Sequence, residues 1–224
     1  MSLWLIVAAE EQELQGVLKR ALSVKPLEWA RARAAHEVTW GEGAGRWWLI
    51  ATGPGPRLVE LVLGDQRPEV RGLVSVGFCG ALDPALGIGD IVVSGEPLRR
   101  AGRPFISGRA LCLDRVAVTA GEKRQLHEST GASVIEMESS AVAAKAREWG
   151  LSFRAVRAVS DTAREDMPLD FNRFRDAEGR FSRGAIARAA LLRPVRAIPG
   201  LLRLAGNCRR ASDSLGEFLA NCEF

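Results

Sequence analysis

Histidine is scarce in this chain: His36 and His127 are the only two among 224 residues. The four cysteines, Cys79, Cys112, Cys208 and Cys222, form no C-x-x-C pair and no metal-ligand spacing. These shortages argue against a zinc site, and no metal is expected. They also suggest reduced thiols and a cytoplasmic setting. Long apolar runs are missing too. None reaches the ~18 residues that a spanning helix needs, which excludes a transmembrane helix. No secretory leader precedes the first strand-like run, so the chain is expected to enter its fold directly. Internal repeats and low-complexity segments are absent. Hydrophobic residues make up 47% and charged residues 26%. Such values typify folded globular domains and exclude a disordered chain, and the length suits one large domain.

The formal net charge is +4, but it is unevenly placed. Residues 1–172 carry 21 basic and 22 acidic side chains, whereas residues 173–224 carry 10 basic and 5 acidic. A neutral body argues against nucleic acid as a partner. A basic tail on a neutral body suggests an anionic surface, a protein partner or a solvated arm.

Residues 3–9 form a short apolar run that predicts a buried strand. Residues 10–20 read as a helix with acidic residues in its first turn, where the helix dipole favours them. Residues 36–40 and 46–52 read as paired strands around Gly41, Gly43 and Gly45. The turn Thr52-Gly53-Pro54-Gly55-Pro56 precedes an amphipathic helix from Arg57 to about Gln66. A strand at 72–76 runs into Gly77-Phe78-Cys79-Gly80. Further strands are expected at 90–94, 115–119 and 153–159, and a strand at 133–137 leads into a helix at 139–149. Strands alternating with helices predict an α/β fold with a largely parallel sheet. Residues 185–192 and 201–208 have helical patterning interrupted by Pro194 and Pro199. This tail reads either as a helical pair with its basic face in water or as an amphipathic arm on a membrane surface.

Four segments could carry chemistry. In Glu136-Met137-Glu138-Ser139, two carboxylates flank a methionine where a strand ends and a helix begins. Open α/β sheets place their ligands at such points. A carboxylate there could accept both hydroxyls of a sugar diol, and the methionine offers a soft face for the ring. The plainer reading is a helix-capping acid. In Arg157-Ala158-Val159-Ser160-Asp161, the aspartate ends a neighbouring strand and could act as a general acid; otherwise it caps the next segment. In Glu10-Glu11-Gln12-Glu13, one glutamate could serve as a general base; otherwise the run is a solvated helix start. In Gly77-Phe78-Cys79-Gly80, paired glycines would let backbone approach a flat ligand.

The ordered set of motifs resembles the nucleoside phosphorylase and nucleosidase superfamily from residue 3 to about 174. The motifs are Ala9-Glu10-Glu11-Gln12-Glu13, Thr52-Gly53-Pro54-Gly55, Gly77-Phe78-Cys79-Gly80, Gly89-Asp90-Ile91-Val92-Val93-Ser94, Glu136-Met137-Glu138 and Arg157-Ala158-Val159-Ser160-Asp161. The resemblance implies a three-layer α/β sandwich around a mixed, distorted sheet (residues 1–174), followed by a basic helical extension (175–224) packed on it or projecting from it. It implies a homo-oligomer that cleaves an N-ribosidic bond through an oxocarbenium-like transition state. By motif position, Glu138 holds the ribose hydroxyls, with Met137 and Glu136 beside it. Asp161 protonates or hydrogen-bonds N7 of a departing purine, with Ser160 next to it. Phe78, Cys79 and Gly80 line the base, and Glu13 activates water. No cofactor is implied, though inorganic phosphate could serve as a co-substrate.

This sequence departs from the superfamily pattern in several places. Phe78 stands where many relatives keep a serine, and Ser75 where hexameric phosphorylases have a phosphate-binding arginine. Their Gly-Asp-x-x-Arg loop is absent near residues 9–13. Arg57 and Arg46 are the candidate substitutes, and water is favoured as the nucleophile over phosphate. The segments 94–115 and 119–135 are short, leaving the 5′ side open. The tail resembles the extension of the hopanoid-associated phosphorylase branch, which implies release of adenine from a 5′-modified adenosine such as adenosylhopane. Two rivals are a non-catalytic nucleoside-binding module, for which Phe78 speaks, and a peripheral membrane protein whose tail is the functional part.

Overall fold

The computed structural model describes residues 3–40, 45–64, 67–98 and 103–224. Gly41, Gly43 and Gln66 of the sequence reading lie outside them. The order is β1 (Trp4–Ala8), α1 (Glu11–Leu18), β2 (Ser23–Pro26), β3 (Ala34–Thr39), β4 (Arg46–Ala51), α2 (Pro56–Leu63) and β5 (Gly72–Ala81). Then come β6 (Ile91–Gly95), β7 (Ile106–Ser107), β8 (Ala110–Cys112), α3 (Ala120–Thr130), β9 (Val134–Glu136), α4 (Ser139–Trp149), β10 (Ser152–Asp161), α5 (Arg183–Leu192) and α6 (Pro194–Ala220).

The strands form one mixed sheet in the order β2-β3-β4-β1-β5-β10-β6-β7, with β9 paired to β5 and to β8. The centre, β4-β1-β5-β10, is parallel, and its strands are apolar because helices cover both faces. On one face α1 and α6 bury Leu14, Val17, Leu215 and Phe218 against Ile6, Leu49, Val74 and Val156. On the other, α2 and α4 bury Val59, Val62, Val142 and Trp149 against Leu5, Ile50 and Leu73. The result is the expected three-layer α/β sandwich.

The distortion of the sheet makes room for the site. β5 and β10 outrun β1, whose pairing to β5 ends at Ser75. They continue as a ribbon to Gly80 and Asp161, and β9 joins the far end of β5. Between Val159 and Asp161 the register slips, so Ser160 and Asp161 share the place opposite Gly80. Such a bulge re-aims side chains at the end of a strand.

Three expectations need correction. Residues 115–119 are not a strand. The Asn172 side chain accepts from Val116 N at 2.8 Å and donates to Val116 O at 2.9 Å, so the backbone there is satisfied without a ladder. The strand of this region is β8. Pro194 separates α5 from α6 as expected, but Pro199 does not interrupt the tail as its helix-breaking character suggests, because α6 runs through it. Pro194 sits at the helix start, where its missing N–H costs nothing. Nor does the second half of the tail form an arm. Ala211, Leu215, Phe218, Leu219 and Phe224 belong to the main core. A Cβ on Gly16 would stand 1.8 Å from Ser212 O, so α1 and α6 cross backbone to backbone. β2, β7 and α3 went unread; their sequences are short or mostly polar.

Candidate active site

A cavity of about 420 Å³ opens where β1 and β4 stop and the β5–β10 ribbon continues. Its walls include Glu13 of α1, Phe78, Cys79 and Gly80 of β5, Met137 and Glu138 of the β9–α4 junction, and Ser160 and Asp161 of β10. Phe171, Phe181, Ile186, Leu204 and Cys208 make an apolar wall from the C-terminal segment.

The three buried glutamates near this cavity differ in what their oxygens already accept. Glu13 Oε2 accepts from the N–H groups of Ala9 and Glu10, both at 2.9 Å, and Oε1 accepts from Phe78 N–H at 2.7 Å. A carboxylate offers about four acceptor positions, so about one remains, on Oε1. Burial raises its carboxyl above the ordinary value against the lowering effect of these bonds and of Arg157. Gly77 makes the site possible, since a Cβ there would stand 2.5 Å from Glu13 Oε1.

Among the described residues Glu138 accepts one hydrogen bond, from Gly55 N–H at 2.8 Å. That donor comes from the Thr52-Gly53-Pro54-Gly55 turn, where Gly55 adopts φ +91°. Glu138 therefore keeps room for two hydroxyl donors. Burial pushes its carboxyl up to about 8, and the neighbouring Glu136 and Glu13 add to this while Arg157 opposes it.

Glu136 has no such room. It accepts from Glu138 N–H at 3.0 Å, from Ser139 N–H at 2.8 Å and from Ser139 Oγ at 2.6 Å, and it is ion-paired with Arg157. Burial alone would raise it, but Arg157 and these bonds hold it below its ordinary value. Glu136 lines the cavity, but its carboxylate is engaged in starting α4 and anchoring Arg157. This differs from the substrate-binding place given to it from the sequence.

Asp161 is held at both oxygens. Ser160 Oγ donates to Oδ1 at 3.0 Å, and Lys123 Nζ donates to Oδ2 at 2.5 Å. Gly80 lies against Oδ2, because a Cβ there would come within 2.9 Å of it. The site thus gathers Gly80 and Asp161, Met137 and Glu138, and the buried carboxyl group of Glu13 around one cavity.

A family model described as the Phosphorylase superfamily matches residues 95–193, the stretch that carries Glu138 and Asp161. This match spans less than half of the chain and supports the resemblance to that superfamily read from the sequence. The 5′-methylthioadenosine/S-adenosylhomocysteine nucleosidase of Mycobacterium tuberculosis is 26% identical, over 52% of this chain and 69% of the relative. The futalosine hydrolase of Helicobacter pylori strain 26695 superposes with a TM-score of 0.65 at 14% identity, covering 97% of this chain and 95% of its own. The 5′-methylthioadenosine/S-adenosylhomocysteine nucleosidase of S. pneumoniae with the transition-state inhibitor MT-ImmA gives a TM-score of 0.65 at 17% identity, covering 98% of this chain and 99% of its own. These superpositions establish the shared fold.

Five of the six motifs named from the sequence line the cavity, and Gly89-Asp90-Ile91-Val92-Val93-Ser94 does not. Two expected residues stay outside the cavity walls. Arg46 starts β4 at the far end of that strand and pairs with Glu37 at 3.6 Å. Arg57 donates to Ala177 O at 2.9 Å, bracing the loop that precedes α5. The cavity is instead lined by Arg33, Arg115 and Arg183, each paired with a carboxylate: Arg33 and Arg183 with Glu10, and Arg115 with Glu122. Sequence reasoning also missed Lys123 and the role of Arg157. Arg157 is buried beneath the site and donates to Ser75 Oγ at 2.7 Å. A charged residue at an apolar position of β10 was the available signal for Arg157; an ordinary-looking polar helix gave none for Lys123.

Proposed function

We propose that the protein hydrolyses the N-ribosidic bond of a purine riboside, releasing adenine from an adenosine modified at the 5′ position. The observation that supports this best is the convergence of Glu13, Glu138 and Asp161 on one cavity, each with a different remaining hydrogen-bonding capacity. In this reading the purine lies against Phe78, Cys79 and Gly80, with N7 toward Asp161. The ribose rests on Met137, and its 2′ and 3′ hydroxyls donate to Glu138. As the C1′–N9 bond lengthens, positive charge builds on the sugar and negative charge on the base. Glu13, and Glu138 once the hydroxyl donors of the ribose draw it into its ionised form, stabilise the cation. Water attacks C1′ and gives its proton to the free acceptor position of Glu13, whose raised basicity suits a general base. Phe78 does not fill the cavity; its backbone N–H orients Glu13. Water is favoured over phosphate because the cations that line the cavity are already paired, which leaves an oxyanion poorly provided for.

The apolar wall of Phe181, Ile186 and Leu204 suits an apolar 5′ substituent. Beyond it, Leu191, Leu192, Val195 and Leu202 are largely exposed, and Arg188, Arg193, Arg196 and Arg203 stand among them. A basic, apolar edge of this kind fits an anionic lipid surface. The finer reading is therefore a membrane-borne substrate of the adenosylhopane type, taken up along the edge formed by α5 and the start of α6.

Chromatographic assay of base release tests the reading, using adenosine, methylthioadenosine and a long-chain 5′-alkyl adenosine, each with and without phosphate. Adenine release independent of phosphate is expected, fastest from the alkyl substrate. Binding of these nucleosides without release would refute catalysis, and a phosphate requirement would refute hydrolysis. For the surface, L192E and V195E should abolish sedimentation with phosphatidylserine vesicles. Unchanged sedimentation would remove the membrane contact. Deleting the tail cannot serve as this test, because α6 completes the core.

A further inference from the structure

Lys123 is a fully buried cation on a helix whose other residues are all partly or fully exposed. Its ammonium makes three hydrogen bonds: to Asp161 Oδ2 at 2.5 Å, to Thr162 O at 2.8 Å and to Glu165 O at 3.1 Å. Three acceptors around one nitrogen match the three N–H groups of an ammonium. Burying a lysine in this way is costly unless it is paired, and a buried ion pair is weak evidence for a purely stabilising role. Nor does Lys123 line the cavity. It meets the cavity only through Asp161, and through the oxygen that faces Gly80. The other oxygen is taken by Ser160.

We propose that Lys123 holds the proton that the leaving base acquires, and that it acts through Asp161 as a positioning residue. This inference rests on the proposed ribosidic cleavage. With Lys123 charged, Asp161 is an anion and has no proton of its own to give. As the C1′–N9 bond breaks, its electron pair moves onto the purine and makes N7 basic. Asp161 Oδ2 takes a proton from Lys123 Nζ and passes it to N7. The purine leaves as the N7–H tautomer, Lys123 is left as a neutral amine, and solvent reprotonates it. The proton released by the attacking water, held by Glu13, returns to solvent, so the cycle balances. The three acceptors fix the direction of transfer by aiming one N–H of Lys123 at Oδ2 alone.

The test compares leaving groups. K123M replaces the ammonium with an apolar chain of similar length. It should slow adenine release by ~10²–10⁴-fold, the range expected for loss of general acid catalysis. On p-nitrophenyl β-D-riboside, whose phenolate departs without a proton, the same variant should stay within ~3-fold of the wild type on the same reasoning. Equal losses on both substrates would mean that Lys123 only supports the structure, and no loss on the purine substrate would equally overturn the proposal. A second comparison guards against misfolding of K123M, which strands the Asp161 charge. The double variant K123M/D161N buries no charge and should match D161N alone on the purine riboside. An additive further loss would refute action through Asp161. If the wild type releases no base from any riboside, the cleavage reading itself falls and this inference with it. Wild-type turnover left intact by K123M removes the lysine alone.

Discussion

Replacing Glu138 by glutamine separates the energetic burden of this carboxyl from its use. Its pKa is about 8 in the folded protein against 4.5 ordinarily, with burial as the main cause. The folded protein therefore keeps a proton that the unfolded chain releases across that interval. Stability falls as pH rises wherever the native state binds more protons than the unfolded state. The Glu138 contribution should thus decline from about pH 4.5 and level off above pH 8. At ~1.4 kcal/mol per pH unit, the total is roughly 3–5 kcal/mol. That is a large share of the ~5–15 kcal/mol that holds a typical domain together. Glutamine is isosteric with the protonated acid and can still accept from Gly55 N–H, a bond of 2.8 Å in the wild type. E138Q should match the wild type in stability near pH 5 and exceed it by a few kcal/mol near pH 8.5. Urea unfolding at a series of pH values reads this, and the difference between the two proteins cancels the titrating groups that do not interact with Glu138. The same variant should lose riboside cleavage, because an amide gives the ribose diol one acceptor oxygen instead of two. A stability difference that does not change between pH 5 and 8.5 would refute the reasoning, and so would a wild type that remains the more stable at high pH.

Asp161→Asn should lower base release by ~10²–10⁴-fold with an unchanged far-ultraviolet spectrum, and near-normal turnover would remove Asp161 from the mechanism. Glu13→Gln should reduce hydrolysis over a similar ~10²–10⁴ range, and retained hydrolysis would leave water without this base. Gly216→Ala places a Cβ 2.1 Å from the Gly16 backbone. Overpacking of that kind costs ~1–3 kcal/mol or more, so thermal unfolding should shift down by several degrees. Because α1 carries Glu13, turnover should fall as well; an unaltered melting temperature would show that the two helices separate freely.

Much of the site was legible because it is local. Glu136-Met137-Glu138 sits on a strand-to-helix junction that can be read within eight residues, and Asp161 ends a plainly apolar strand. Whether each carboxylate could bind was not legible, since that depends on donors supplied by distant segments. Gly55 N–H meets Glu138 from 83 residues away, and Phe78 N–H meets Glu13 across 65. Glu136 looks equivalent to Glu138 in the sequence and is set apart by Arg157 and by the turn of Ser139. Arg57 and Arg46 were named for their charge alone, and nothing local shows that one braces a loop and the other pairs at the far end of a strand. The C-terminal prolines and arginines left both a packed helical pair and a projecting arm open. The small residues Gly16, Ser212 and Gly216 that lock α6 onto α1 reveal themselves only when the helices are placed side by side.

By itself the sequence determined the alternation of strands and helices, the apolar faces and the order of the motifs. These follow from periodicity and backbone preference over a few residues. The tertiary structure decided which acids remain open to a ligand, where the β10 bulge aims Asp161, and that Lys123 stands behind it. Those outcomes depend on hydrogen bonds and burial shared between segments far apart in the chain, and no local pattern encodes them.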